Sequence, residues 1–218
     1  MDYKYILFDL DGTLTDPKIG ITKSVAYSLK KLKNIEVELD LLTKFIGPPL
    51  KDSYIDFYGF SESEAEIAIQ TYREYFKDTG IYENEVYSGM EDLLEVLKDK
   101  QYILGVATSK PTVFAEIIIK HFDLERYFSC VIGSNLDGTR TDKAEVIAEA
   151  LTQLSIDDKE HVVMIGDRKH DILGAKKMKI DSIGVTYGYG SYEELEDAGA
   201  DYIIENIDGL KKILEIEK

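Results

Sequence analysis

The sequence predicts an α/β protein, a doubly wound parallel-sheet core with a small all-helical domain inserted after the first strand. Three observations point there. Short apolar runs alternate with amphipathic helical patterns along most of the chain, the order that builds a parallel sheet. From Asp16 to about Tyr87 that rhythm stops, and helical patterns follow one another almost without a strand signal. The predicted strand ends, where open parallel sheets bind ligands, carry acids and hydroxyls.

The first strand is Tyr5–Phe8, an apolar run that leads straight into Asp9-Leu10-Asp11-Gly12-Thr13. The insert has helical patterns at Ile19–Leu32, Leu39–Phe45, Leu50–Tyr58 and Ser61–Lys77. Ser61-Glu62-Ser63-Glu64 reads as a capped helix start, and Gly47-Pro48-Pro49 breaks the chain between two helices. The alternative is that these helices pack on the sheet. The core resumes with a helix at Glu91–Lys98 and a strand at Ile103–Ala107. A helix follows at Thr112–Phe122, started by Pro111, and then a strand at Val131–Gly133. Asp142–Leu154 carries Val146, Ile147, Ala150, Leu151 and Leu154 on one helical face. Strands at Val162–Ile165, Ser182–Val185 and Tyr202–Ile204 alternate with helices at Asp171–Met178 and Tyr192–Ala198. The expected division is residues 1–15 with 88–218 as core and 16–87 as the helical domain.

The 218 residues suit one large domain or a core with a small insert. A net charge of −16 argues against nonspecific binding to nucleic acid or anionic lipid. No apolar run is long enough to span a membrane and no signal peptide is visible, so a cytoplasmic protein is expected. The single Cys130, among Tyr127, Phe128, Val131 and Ile132, reads as a core thiol and excludes a disulfide framework. The fifteen tyrosines are spread through the chain. A monomer is expected, with a dimer left open.

Asp9 and Asp11 are alternate residues at a strand end, so period-2 geometry puts both on one side. Two carboxylates so close need a divalent cation or two different protonation states. With Asp167, after the strand at Val162–Ile165, they make a hard oxygen site of the kind magnesium prefers. Asp171, one turn into the next helix, can hold a metal-bound water or orient a ligand. Alone, Gly166-Asp167 reads better as a turn and Asp171 as a helix cap. Thr108 and Ser109 offer hydroxyls and N–H groups ahead of a helix, an anion-binding arrangement or a simple cap. Lys143 opposes its helix dipole, which a specific anionic partner explains; a solvated surface lysine is the other reading.

In this order the motifs resemble the haloacid dehalogenase superfamily: Asp9-Leu10-Asp11-Gly12-Thr13, a strand ending in Thr108, then Lys143, then Gly166-Asp167-Arg168-Lys169-His170-Asp171. The resemblance covers essentially the whole chain. The insert resembles the helical cap of the phosphoglycolate phosphatase-like branch. The resemblance implies a phosphatase acting on small phosphorylated metabolites or nucleotides. Asp9 would be the nucleophile and Asp11 the general acid and base. Asp9, Asp167 and the backbone carbonyl of Asp11 would hold Mg2+, with Asp171 behind them. Gly12, Thr108, Ser109 and Lys143 would bind the phosphoryl group. An acid at position 11 suits leaving groups that need a proton; the dehalogenase branch lacks it. Asn135-Leu136-Asp137-Gly138-Thr139 echoes the first motif, but its amide cannot be a carboxylate nucleophile. It reads as a loop from which Arg140 and Lys143 reach toward the site.

The stretches Asp11–Asp16, Phe45–Leu50, Gly133–Arg140 and Tyr187–Gly190 are most similar to a 5′-nucleotidase-like subgroup, with generic phosphoglycolate phosphatases nearly as similar. Lys23, Lys51 and Tyr54, beside Pro48 and Pro49, are candidates to contact the leaving group; surface lysines and a core tyrosine are the alternatives. A phosphoglucomutase-like transferase and a non-catalytic binding protein remain as other functions.

Overall fold

The structure is a computed structural model that describes residues 2–216. The chain forms two compact units, Met1–Thr15 with Val86–Lys218, and Asp16–Glu85. The first strand, β1 (Tyr5–Phe8), is followed by the short β2 (Thr15–Asp16).

The unit Asp16–Glu85 is built from α1 (Lys18–Lys33), a 3-10 helix Leu39–Phe45, α2 (Leu50–Tyr58) and α3 (Glu62–Phe76). Its start signals act as the sequence suggests. Ser61 accepts a hydrogen bond from the Glu64 N–H, and the Glu64 carboxylate accepts one from the Ser61 N–H. Val25, Leu29, Leu42, Phe45 and Tyr54 are buried together with Phe60 in this unit.

The short β3 (Glu85–Val86), which pairs with β2, leads back into the unit of Met1–Thr15 with Val86–Lys218, which continues with α4 (Met90–Asp99). Then come β4 (Ile103–Pro111), α5 (Thr112–His121), β5 (Phe128–Ser134), α6 (Lys143–Gln153), β6 (Val162–Gly166) and α7 (Lys169–Met178). The chain closes with β7 (Asp181–Val185), α8 (Tyr192–Ala198), β8 (Tyr202–Ile204) and α9 (Ile207–Ile213). Six strands form one parallel sheet in the order β5-β4-β1-β6-β7-β8. β1 lies between β4 and β6, with Phe8 opposite Val106 and Ile165. Buried on both faces, it reads as an unbroken apolar run. Leu7, Met164, Val146, Ile147 and Ala175 belong to one core cluster that includes Cys130. Because β1 sits where the strand order reverses, its carboxyl end is the expected ligand position. Among the described residues, no helix is long and apolar enough to cross a membrane.

The structure departs from expectation in several places, among them the start of β5 at Phe128 and the pairing of β2 with β3. Leu39–Phe45 is a 3-10 helix rather than an α-helix. Seven residues closed off by Gly47-Pro48-Pro49 are too few to propagate α-helix, and 3-10 turns serve as connectors. The short α9 was not expected; Asn206 caps it by accepting from the Gly209 N–H. β4 runs on to Pro111, with a shift in its register against β5 between Ala107 and Pro111.

Candidate active site

The ladder of β1 continues one residue past the strand, the Asp9 N–H donating to the Ile165 carbonyl at 2.8 Å. The chain then turns sharply, with the Gly12 N–H donating to the Thr15 carbonyl at 2.8 Å. Gly12 has φ +86°, a left-handed conformation that favours glycine. A Cβ there would also lie 2.2 Å from Asp167 Oδ2. The turn buries both acids, Asp9 at 4% and Asp11 at 7% exposure.

Lys143 is the first residue of α6, whose start is capped by Asp142 accepting from the Ala144 N–H. Its ammonium is buried and lies 2.7 Å from both Asp9 Oδ1 and Asp171 Oδ1. It also donates to the Ala107 carbonyl at 2.9 Å. Burial opposes its charge, but Asp171 and Asp9 outweigh burial and hold the lysine above its ordinary value. This is the anionic partnership that a lysine at a helix start called for.

Asp167 follows β6. Its Oδ2 accepts from the Tyr189 N–H at 2.7 Å, while Oδ1 is buried without a hydrogen-bond partner. Burial raises its carboxyl well above the usual range, and Asp9 and Asp171 add to the effect. Asp171 accepts from the Arg168 N–H at 3.0 Å. Its carboxyl rises to about 6, driven by burial against the pull of Lys143. Asp9, Asp167 and Asp171 each offer a carboxylate oxygen, all within 4.8 Å of one another. Three buried carboxylates with an orphaned oxygen fit a hard divalent cation, and repel one another without one.

Thr108 is buried on β4, and its hydroxyl accepts from the Lys110 N–H at 3.3 Å. The Ser109 carbonyl accepts from Ser134 Oγ at 2.9 Å. Lys110 Nζ lies 2.7 Å from Asp11 Oδ2, in an ion pair buried on both sides. Burial raises the Asp11 carboxyl while Lys110 pulls it down, and the net direction is upward. Asp11 Oδ1 is buried without a hydrogen-bond partner.

The structure brings Asp9, Asp11, Gly12, Asp167, Asp171 and Lys143 together, with Thr108 and Ser109 at the neighbouring strand end. Sequence reasoning missed Lys110 as a site residue, although the alternation that links Asp9 to Asp11 also links Thr108 to Lys110. It also missed the backbone role of Tyr187–Gly190. Tyr189 supplies an N–H to Asp167, and Tyr187 OH donates to the Thr13 carbonyl at 3.0 Å. A Cβ on Gly188 would lie 2.3 Å from the Gly12 carbonyl, so only glycine allows this approach.

Arg140 corrects an expectation. Its Nε donates to the Gly133 carbonyl at 2.8 Å and its Nη2 to Thr112 Oγ1 at 3.3 Å. The guanidinium thus fastens its own loop to the strand end it left, and of these two residues it is Lys143 that reaches the acids. Cys130 is buried, and burial pushes its thiol up to about 11, as befits a core residue.

Lys23, Lys51 and Tyr54 lie in the other unit. Lys23 pairs with Glu83, and Lys51 with Glu62 and Glu66. Tyr54 has the surroundings of the core alternative. It is fully buried, its hydroxyl bonded to Ser28 and its ring packed against Phe45 and Phe60. Aromatic neighbours distant in sequence claimed it for the core.

Residues 6–185 match the family model described as haloacid dehalogenase-like hydrolase. A 5′-nucleotidase of Pseudomonas aeruginosa is 47% identical over 213 residues, covering 98% of this chain and 96% of that protein. The tyrosine-protein kinase PtkA of Mycobacterium tuberculosis is 37% identical over 213 residues, covering 97% of this chain and 72% of that protein. The crystal structure of a predicted phosphatase from Clostridium acetobutylicum superposes with a TM-score of 0.94 at 55% identity, covering 98% of this chain and 99% of that one. The chain belongs to the haloacid dehalogenase-like hydrolase family, among its phosphatases.

Proposed function

We propose that this chain is a Mg2+-dependent phosphatase that hydrolyses small phosphate monoesters through an aspartyl-phosphate on Asp9, with nucleoside 5′-monophosphates as the favoured substrate class. The observation that carries the reading is the buried cluster of Asp9, Asp167 and Asp171, crossed by the Lys143 ammonium. Asp9, Asp167 and the backbone carbonyl of Asp11 would hold the ion, which when bound neutralises phosphoryl oxygens and the cluster's own charge.

Asp9 attacks phosphorus, and the bond to the leaving oxygen breaks as Asp11 gives it a proton. Asp11 then takes a proton from the water that attacks phosphorus and breaks the bond to Asp9. Lys143 holds one Asp9 oxygen, which leaves the other for attack, and with Thr108 it faces the charge on the equatorial oxygens. Burial keeps water from this region and raises the Asp11 carboxyl, the direction a general acid needs. The nucleotide preference rests on the Pseudomonas relative and on the Asp11–Asp16, Phe45–Leu50, Gly133–Arg140 and Tyr187–Gly190 stretches. The unit Asp16–Glu85 acts in this reading as the cap that selects the leaving group.

The test is a screen of nucleoside 5′-monophosphates, phosphoglycolate and hexose phosphates with and without Mg2+, with Asp9→Asn as control. Mg2+-dependent phosphate release, strongest on nucleotides and absent from the control, is expected. Isomerised hexose phosphate without phosphate release would instead reveal a mutase. No turnover of any ester would leave a binding protein.

A further inference from the structure

We infer that Lys110 is the positioning residue of the general acid: it holds Asp11 by Oδ2 so that Oδ1 alone faces the reacting oxygen. The inference rests on the phosphatase reading above and assigns a role to a residue outside that mechanism.

Three features of the chain carry it. Lys110 follows Thr108 by two residues at the end of β4, and the Thr108 hydroxyl accepts from its N–H at 3.3 Å. Pro111 restricts the Lys110 backbone to extended conformations, and the register shift between Ala107 and Pro111 re-aims the strand end. The backbone is also clamped from β5. Ser134 Oγ donates to the Ser109 carbonyl at 2.9 Å, and a Cβ on Gly133 would lie 2.0 Å from the Lys110 carbonyl. The outcome is an ammonium 2.7 Å from Asp11 Oδ2, with both side chains at most 10% exposed. The opposite oxygen, Oδ1, is buried with no hydrogen-bond partner. The two lysines therefore divide the two acids, Lys143 fixing the nucleophile and Lys110 fixing the proton donor.

In the first step the proton leaves Asp11 Oδ1 for the departing alkoxide as the phosphorus–oxygen bond breaks. In the second, Oδ1 takes a proton from the attacking water. Without Lys110 the carboxyl rotates freely and both transfers slow. A leaving group that departs as a stable anion needs no proton in the first step.

The experiment compares wild type, Lys110→Met and Lys110→Arg with Mg2+, on an alkyl phosphate and on p-nitrophenyl phosphate. In Lys110→Met, kcat/KM for the alkyl ester should fall about 100-fold, the lower range of general acid contributions. For the nitrophenyl ester kcat/KM should change by less than about 5-fold, because that acid term is not required. The nitrophenyl ester should then give a burst of nitrophenol followed by slow turnover, as phosphoenzyme accumulates. Lys110→Arg should recover most of the alkyl activity. Equal losses of kcat/KM on both esters, or a rise in KM alone, would overturn the inference. If Lys110→Met does not fold, Lys110→Gln replaces it, and absence of the same leaving-group split in that variant overturns the inference. Failure of the underlying reading is distinguishable, since wild type would then hydrolyse neither ester or Asp9→Asn would remain active.

Discussion

Replacing Lys143 with methionine keeps much of the buried stem but removes the ammonium that spans Asp9 and Asp171. Each pair is 2.7 Å long, worth about 6 kcal/mol of Coulomb attraction at an effective dielectric of about 20. Desolvation of the ions offsets most of that, so the cost lies in what the substitution leaves behind. Unpairing buried charge costs about 3–5 kcal/mol. For a chain of this length, that lowers Tm by about 6–20 °C, at about 2–4 °C per kcal/mol. The pH dependence has a definite sign. A raised lysine stabilises fully below its unfolded value of about 10.4 and loses that contribution as pH rises through the higher folded value. Wild type therefore keeps it throughout the neutral range. In Lys143→Met the Asp171 carboxyl, already raised to about 6 by burial, loses the downward pull of Lys143 and takes up a proton, so the deficit shrinks as pH falls toward 5. Thermal unfolding in EDTA at pH 5 and pH 8, followed by circular dichroism, measures both effects. A Tm within about 2 °C of wild type at pH 8, below the shift that 1 kcal/mol gives in a chain this size, would refute the reasoning.

Asp11→Asn should abolish turnover of alkyl phosphates while Mg2+ binding, measured by calorimetry, stays within about 3-fold, since its backbone carbonyl is unchanged. Mg2+ at 100 times its Kd should stabilise wild type by about 2.7 kcal/mol, and Asp167→Asn should lose that shift in a thermal melt; an unchanged shift would place the ion elsewhere. In EDTA the Asp167 carboxyl is raised by folding, so it destabilises increasingly as pH climbs above the ordinary value of about 3.9. Asp167→Asn should then gain Tm over wild type as pH rises from 4 to 7, and a gap that narrows instead would contradict the assigned burial. Tyr54→Phe should cost about 0.5–1.5 kcal/mol in urea unfolding through the lost Ser28 hydrogen bond. Its KM for any substrate should be unchanged, and a raised KM would return Tyr54 to the substrate.

The parallel sheet was legible because its central strands are apolar and bounded by acids or glycines. Tyr5–Phe8 and Tyr202–Ile204 occur with their expected limits, and so does the helix Tyr192–Ala198, fixed by its Ser191 cap. Edges moved where the signal is backbone geometry rather than residue type, as at the end of β4. The acids of the site were readable because two strand ends each carry one beside a glycine. The Lys110–Asp11 pair was not, because the hydroxyls of Thr108 and Ser109 are the plainer anion-binding signal at that strand end and lysine is commonly a solvated residue. Tyr189 acts through its N–H, which no side-chain pattern reveals. Tyr54 shows the opposite failure, where a polar atom at a helix position suggested a ligand contact and tertiary packing gave it Ser28 instead.

The central claim is that Asp9 carries the phosphoryl group. Rapid acid quench of the enzyme with Mg2+ and a turning-over phosphate ester, followed by peptide mass spectrometry, tests it directly. The account predicts one phosphoryl mass on the peptide containing Asp9, absent without Mg2+ and absent in Asp9→Asn. Phosphate release at full rate by Asp9→Asn, or a phosphoryl mass on any other residue of the chain, would contradict it.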